Sequence, residues 1–190
     1  MIAGHFGLAA IVKSRAPSVP LWALMLGCQF LDVVFVPLVV AGVERLEPIA
    51  GAPPGAYGEV IIHANYTHSF VGAVALSLIF GALLGLRYGR RTAVVLGLVA
   101  FSHWPLDLLM HRHDMPLLPG GPPSFGLGLW RWQGVSAALE LAFVVAGAVL
   151  YWRAARYVSE DRSTRRRANV CGAAMLGFGL LTLGLNLAGM

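Results

Sequence analysis

TAVVLGLVAFSHWPLDLLM, residues 92–110, is long and apolar enough to cross a bilayer as a helix, yet its second half carries His103 and Asp107. About 20 apolar residues span a hydrocarbon core, and a helix satisfies its own backbone polar groups there. Ionisable side chains in such a segment cost energy and turn towards a polar interior or a cavity. His103, Asp107 and His111 follow one another at i, i+4 and i+8, so they form one column on one helix face. Pro105 sits inside that column and predicts a kink with room for a ligand.

Four other stretches share this character: 19–43, 66–86, 134–152 and 168–189. The first is interrupted among strongly polar side chains only by Gln29 and Asp32, the third by Glu140, and the last by no charge. Hydrophobic residues make up 57% of the 190 and charged residues 12%, about half the charge of a soluble domain. That excludes a soluble globular protein, a disordered chain and a free-standing nucleic-acid binder. Two cysteines make neither a disulfide framework nor a cysteine zinc site, and Cys28 and Cys171 read as small packing groups. Met1–Val12 is apolar but too short to span, and has no basic stretch ahead of it as a cleaved signal would. It reads as a half-length helix packed on the bundle. The expected fold is therefore all-α: a single integral membrane domain, 1–190, of five spanning helices plus that half-helix, with no internal repeat.

Of the 14 Lys and Arg residues, all but Arg45, Arg112 and Arg131 fall at one set of span ends. The positive-inside rule places that majority in the cytoplasm, with Lys13 and the N-terminal region on that side and the C-terminus outside, in a bacterial-type inner membrane. Arg165–Arg167 is then a juxtamembrane cluster facing anionic lipid and not a nucleic-acid footprint. Trp22, Trp104, Trp130, Trp132 and Trp152 mostly fall near span ends, as interface belts do.

At the helical rise, His103 lies about 18 Å from the cytoplasmic edge, Asp107 about 24 Å, Asp32 about 25 Å and His68 about 28 Å. Three spans thus deliver polar groups to one layer in the outer half of the membrane. His5, about 12 Å deep if the first helix climbs back from Lys13, approaches from below. His63 stands at the mouth of the second span. Imidazole and carboxylate together suit zinc and related divalent ions. His5, Asp32, His68, His103 and Asp107 are candidate ligands, joined by His63 and His111, enough for one ion or for two sharing a carboxylate. Paired metals suit phosphoester hydrolysis. Asp32, Asp107 and His68 are the candidate catalytic groups, with either carboxylate bridging metals or orienting water as general base. Thr67 and Ser69 would steady His68 or bind phosphate oxygen, Gln29 would orient Asp32, and the loop Pro116–Gly128 would act as a lid. Glu140 reads as a support for one of the ligands, an Arg partner or a ligand itself, and His113 and Asp114 as loop residues.

GHFGLA near the start, FLDVVF in the first span, YTHSF at the second and SHWPLD in the third together resemble the YdjM-like family of inner-membrane-associated metal-dependent hydrolases. HRHDMPLLPGGPP followed by GLGLW resembles a subgroup of it labelled membrane protein or permease. The resemblance covers about residues 1–132. It implies a helical metal hydrolase similar in pattern to zinc-dependent phospholipase C, with His5, Asp32, His68, His103 and Asp107 as ligands and a lipid or lipid-linked substrate. The family's doubled Asp and His in the first span are replaced by Phe30 and Val33, and its HRG by His63-Ala64-Asn65. Two other classes fit the same residues: a transporter binding an ion or proton, and a non-catalytic protein whose polar cluster locks helices together.

Overall fold

The computed structural model describes residues 1–51, 60–157 and 161–188. Among them are seven helices: α1 (Ile2–Arg15), α2 (Leu21–Cys28), α3 (Phe30–Val40), α4 (Phe70–Tyr88), α5 (Arg90–Met110), α6 (Gln133–Tyr157) and α7 (Arg162–Ala188). Two antiparallel hairpins join them, β1 (Arg45–Pro48) with β2 (Val60–His63), and β3 (Met115–Pro116) with β4 (Pro123–Phe125). The all-α bundle is as expected. α4, α5, α6 and α7 are each long and apolar enough to cross a membrane, and α2 with α3 makes a fifth span if the bent pair is one. Residues 52–59 of the loop expected at 44–66, and residue 189 of the last expected span, lie outside the described residues.

The first span is not one continuous helix. α2 and α3 meet at Gln29 with a bend of 52°, inside an apolar run that gives no sign of it. The Gln29 side chain donates to the Ile2 carbonyl at 3.1 Å. It therefore ties the break to α1 instead of orienting Asp32.

α1 is a buried helix. Its inner face is Ala3, Gly4, His5, Gly7, Ala9 and Ala10, small residues that let helix backbones approach closely. A Cβ on Gly7 would run into the Phe143 backbone of α6, and one on Gly147 into the Gly7 carbonyl. Glu140, fully buried on α6, accepts from the amides of Ala3 and Gly4 at 3.1 and 3.3 Å. These are first-turn N–H groups with no partner inside their own helix, and a carboxylate also complements the positive end of the helix dipole. Glu140 thus holds α1, and His5 with it. Gly7→Val is expected to destabilise the protein by about 1–3 kcal/mol, read as a lowered unfolding midpoint in detergent.

α4 and α5 form an antiparallel pair turned at Gly89, whose φ of 84° favours glycine. Gly81 and Gly85 face Ala93 and Gly97 across the pair. Ser69 caps α4, its Oγ accepting from the Gly72 amide at 3.0 Å, so its hydroxyl serves the helix end. The hairpin topology puts His68, just before α4, beside the last turns of α5, where His103 and Asp107 lie. α5 is assigned as one helix through Pro105.

Trp104 departs from the interface-belt reading. It is buried and donates from Nε1 to the His68 carbonyl at 2.9 Å, while Trp22, Trp132 and Trp152 are exposed. Cys28 lies in the core and Cys171 is exposed. The loop expected as a lid is stitched down: the Val71 amide donates to Leu117 O at 3.2 Å, Gly120 to Asn65 O at 2.9 Å, and Gly128 to His111 O at 2.7 Å.

Candidate metal centre

Four chain segments meet at one point. α1 brings His5, α3 brings Asp32, the turn before α4 brings His68, and the end of α5 brings His103, Asp107 and His111. Asp107 Oδ1 lies 3.0 Å from His5 Nε2. Its Oδ2 lies 3.0 Å from His103 Nε2, 3.6 Å from His68 Nε2 and 3.8 Å from His111 Nε2. Asp32 is shared in the same way, Oδ1 at 3.4 Å from His68 Nε2 and Oδ2 at 3.6 Å from His103 Nε2. The two imidazole Nε2 atoms of His68 and His103 face each other at 3.3 Å. Two overlapping triads, His5–His103–Asp107 and Asp32–His68–His103, can each hold a metal ion.

The outward-facing ring nitrogens fix which atoms carry protons. His103 Nδ1 lies 2.8 Å from the Cys28 carbonyl at the α2–α3 break; a carbonyl only accepts, so Nδ1 carries the hydrogen. His111 Nδ1 lies 2.9 Å from Asp114 Oδ1, and donates to that carboxylate. His68 Nδ1 lies 2.9 Å from Thr67 Oγ1. The Thr67 hydroxyl lies 3.0 and 3.2 Å from the two Glu44 carboxylate oxygens, so its proton goes to Glu44 and its oxygen accepts from His68. All three rings therefore carry a hydrogen on Nδ1 and turn Nε2 inward. Such outer hydrogen bonds are the usual companions of metal-bound histidine.

The result is a centre in which three inward Nε2 atoms and two carboxylates face one another, with the Met1 amino group 3.6 Å from Asp107 Oδ1. A proton on His103 Nε2 would serve Asp107 at 3.0 Å. A divalent cation would face several of these atoms at once. The separations fit: ligand atoms about 2.1 Å from an ion stand about 3.4 Å apart at tetrahedral angles. His5 differs, because its Nδ1 is buried with no hydrogen-bond partner. A proton on its Nε2, donated to Asp107, accounts for its contact without a cation.

Exposure gives the centre a direction. The side chains of His5, His68, His103, Asp107 and His111 are 0–5% exposed, and that of Asp32 is 39% exposed. The open edge is thus α3, beside the exposed apolar residues Val33 and Val36. Phe35 sets the edge of its ring against His68 at 5.7 Å, and Trp130 covers His111 at 4.4 Å.

Of the seven expected ligands, His63 does not join the others. It lies on β2, where its Nε2 meets Glu47 Oε2 at 2.8 Å; the hairpin register carries it to β1. Glu44 and Asp114 were not anticipated as part of the site. Glu44 is buried and accepts from the Tyr66 and Thr67 amides at 2.8 and 2.9 Å as well as from Thr67 Oγ1. Asp114 lies in the loop as expected, but buried against His111. The only sequence signal for either was a carboxylate within a few residues of a span end.

No family model matches the chain, and neither the curated proteins nor the solved structures contain a match.

Proposed function

We propose that this chain is a membrane-embedded, metal-dependent hydrolase that cleaves a phosphoester of a lipid or lipid-linked substrate. The observation that carries the reading is the cluster of inward Nε2 atoms and two carboxylates with one edge open towards the apolar face of α3. Zinc, as one ion or as two sharing Asp107, suits the imidazole and carboxylate donors. Such an ion, when bound, polarises a phosphoryl oxygen and makes water a nucleophile at neutral pH.

The chain's own residues divide the remaining work. His68 and His103, locked through Thr67 and Cys28, hold the centre's geometry. Asp107 gives one oxygen to each side of it. Asp32, the exposed carboxylate, is the one an incoming substrate meets and is placed to take a proton from the attacking water. The open edge faces the valines of α3, so entry is from the lipid side. With the basic majority in the cytoplasm, the centre lies in the outer leaflet half of a bacterial-type cytoplasmic membrane, the C-terminus outside. A transporter needs access from both faces, and among the cluster residues only Asp32 is open.

The test is zinc-loaded protein in phospholipid nanodiscs, assayed for release of phosphate or a phosphorylated headgroup. Asp32→Asn, whose amide oxygen can still face the centre but takes no proton, is expected to lose about 10²–10⁴-fold in rate, the range of a general base. No turnover by the zinc-loaded protein on any phospholipid or lipid diphosphate would sink the reading.

A further inference from the structure

The pair α4 and α5 leaves a groove along its outward surface. Its volume is about 450 Å³, and Leu78, Val94 and Leu98 stand exposed around it. Gly81 and Gly97 lie at its base, where the two backbones close on each other: a Cβ on Gly81 would meet the Ala93 carbonyl and the Gly97 backbone. Among the described residues the lining is apolar apart from Ser77. From Val74 to Ala82 it covers about 12 Å along α4 at the helical rise. Both helices are long and apolar enough to cross a membrane, so in a bilayer the groove meets acyl chains.

One end of the groove opens at the α4–α5 turn, and that turn is basic. Arg87, Arg90 and Arg91 flank Gly89 and are exposed. Register ties two of them to the groove. Ala93, Val94, Gly97 and Phe101 follow Arg90 at i+3, i+4, i+7 and i+11, and Val94 and Leu98 follow Arg91 at i+3 and i+7. Each arginine therefore stands at the foot of a helix face that lines the groove. No Asp or Glu occurs from residue 60 to residue 106, so neither helix brings a carboxylate to this turn. Arg87 lies over the Tyr88 ring at 5.6 Å, and Tyr88 meets Trp22 of α2 edge-on at 6.4 Å. Exposed aromatics of this kind settle at headgroup level.

We infer that this groove binds an anionic phospholipid from the leaflet at the α4–α5 turn, with an acyl chain lying over Gly81 and Gly97 and the headgroup phosphate meeting Arg90 and Arg91. Planar guanidinium matches phosphate geometry, and basic pockets between membrane helices take anionic headgroups. A zwitterionic lipid fills the groove equally well but brings a cation to the arginines, so charge selects the anionic one. The groove face of α5 turns away from His103 and Asp107, so the site is separate from the metal centre and stands whether or not the chain is a hydrolase.

Full-length protein in mild detergent is titrated with phosphatidylglycerol or with phosphatidylcholine, and bound lipid is counted by native mass spectrometry. Phosphatidylglycerol is expected to bind saturably and at least about tenfold tighter than phosphatidylcholine, the scale of a charge-assisted contact. Arg90→Gln with Arg91→Gln should abolish that preference. Arg162→Gln with Arg166→Gln removes the same charge from the start of α7 and should leave it intact. Ala82→Phe puts a ring into the groove and keeps the arginines; it should weaken both lipids at least about tenfold, the loss of a few buried methylenes. Unfolding midpoints check each variant, and Val94→Trp on the exposed rim repeats the last arm should Ala82→Phe not fold. Equal binding of the two lipids, an equal loss in the Arg162 and Arg166 variant, or full binding with the groove filled would overturn the inference. So would dimers that the groove-filling variants break, because the occupant would then be a second copy of the chain.

Discussion

Asp107→Asn is expected to strip the purified protein of metal, from at least about one equivalent to under about a tenth of that, the scale of losing a bridging carboxylate ligand. Asp107 is the hub: its two oxygens face four imidazoles, His5 on one side and His68, His103 and His111 on the other. Asparagine keeps the shape, removes the negative charge and offers an N–H₂ where an oxygen had been. That amide can donate to an inward Nε2 lone pair, so the folded bundle tolerates the change while the cation does not. Elemental analysis after size exclusion reads the metal, and the unfolding midpoint of the metal-free forms reads the fold. Retention of a full equivalent by Asp107→Asn would mean the carboxylate is a hydrogen-bond partner, and the cluster a helix lock.

Such a lock is the strongest competing account, and it makes the opposite forecast about His103. In a hydrogen-bonded cluster, His103→Gln keeps a donor and an acceptor and changes little. In a metal centre it removes the one residue common to both triads. The ring contacts say what each account requires. His103 gives its Nδ1 hydrogen to the Cys28 carbonyl, and His68 gives its own to Thr67. The lock then needs a second proton on one ring to join their Nε2 atoms at 3.3 Å, and the metal centre needs none.

Much of the centre was legible from depth alone. Asp32, His68 and the His103–Asp107 pair come from three separate spans, yet each count of residues from a basic end arrived at the outer half of the membrane. That works because helical rise is fixed and basic residues mark the membrane edge. His5, counted to about 12 Å, was expected to approach that layer from below, and nothing in Met1–Val12 said that its glycines and alanines would bury it so fully. Glu44, Asp114 and the register of His63 were not legible. They lie in connections, where no period links residue number to position, and a bond such as Glu44 to Thr67 closes a loop that only the fold dictates. The bend at Gln29 was hidden differently. Its flanks are apolar but for Asp32, so hydropathy reads straight through it, yet the carbonyl turned to His103 at that point is what sets the ring.

Thr67→Val follows from that second layer of contacts. Valine matches threonine in shape but cannot accept from His68 Nδ1, nor donate to Glu44. His68 is then free to place its hydrogen on Nε2, facing the centre, and must give up that tautomer to bind a cation. Metal affinity is expected to fall about 10–100-fold, the usual cost of removing such a partner, measured by competition with a chelator of known strength. Ser69→Ala is the control one bond further on. Its Oγ caps α4 through the Gly72 amide and touches no ring nitrogen. It should cost about 1 kcal/mol of stability and leave the metal affinity where it was. If both variants lowered stability and neither changed affinity, Thr67 would be another helix-end residue, and the assignment of the His68 proton would be wrong.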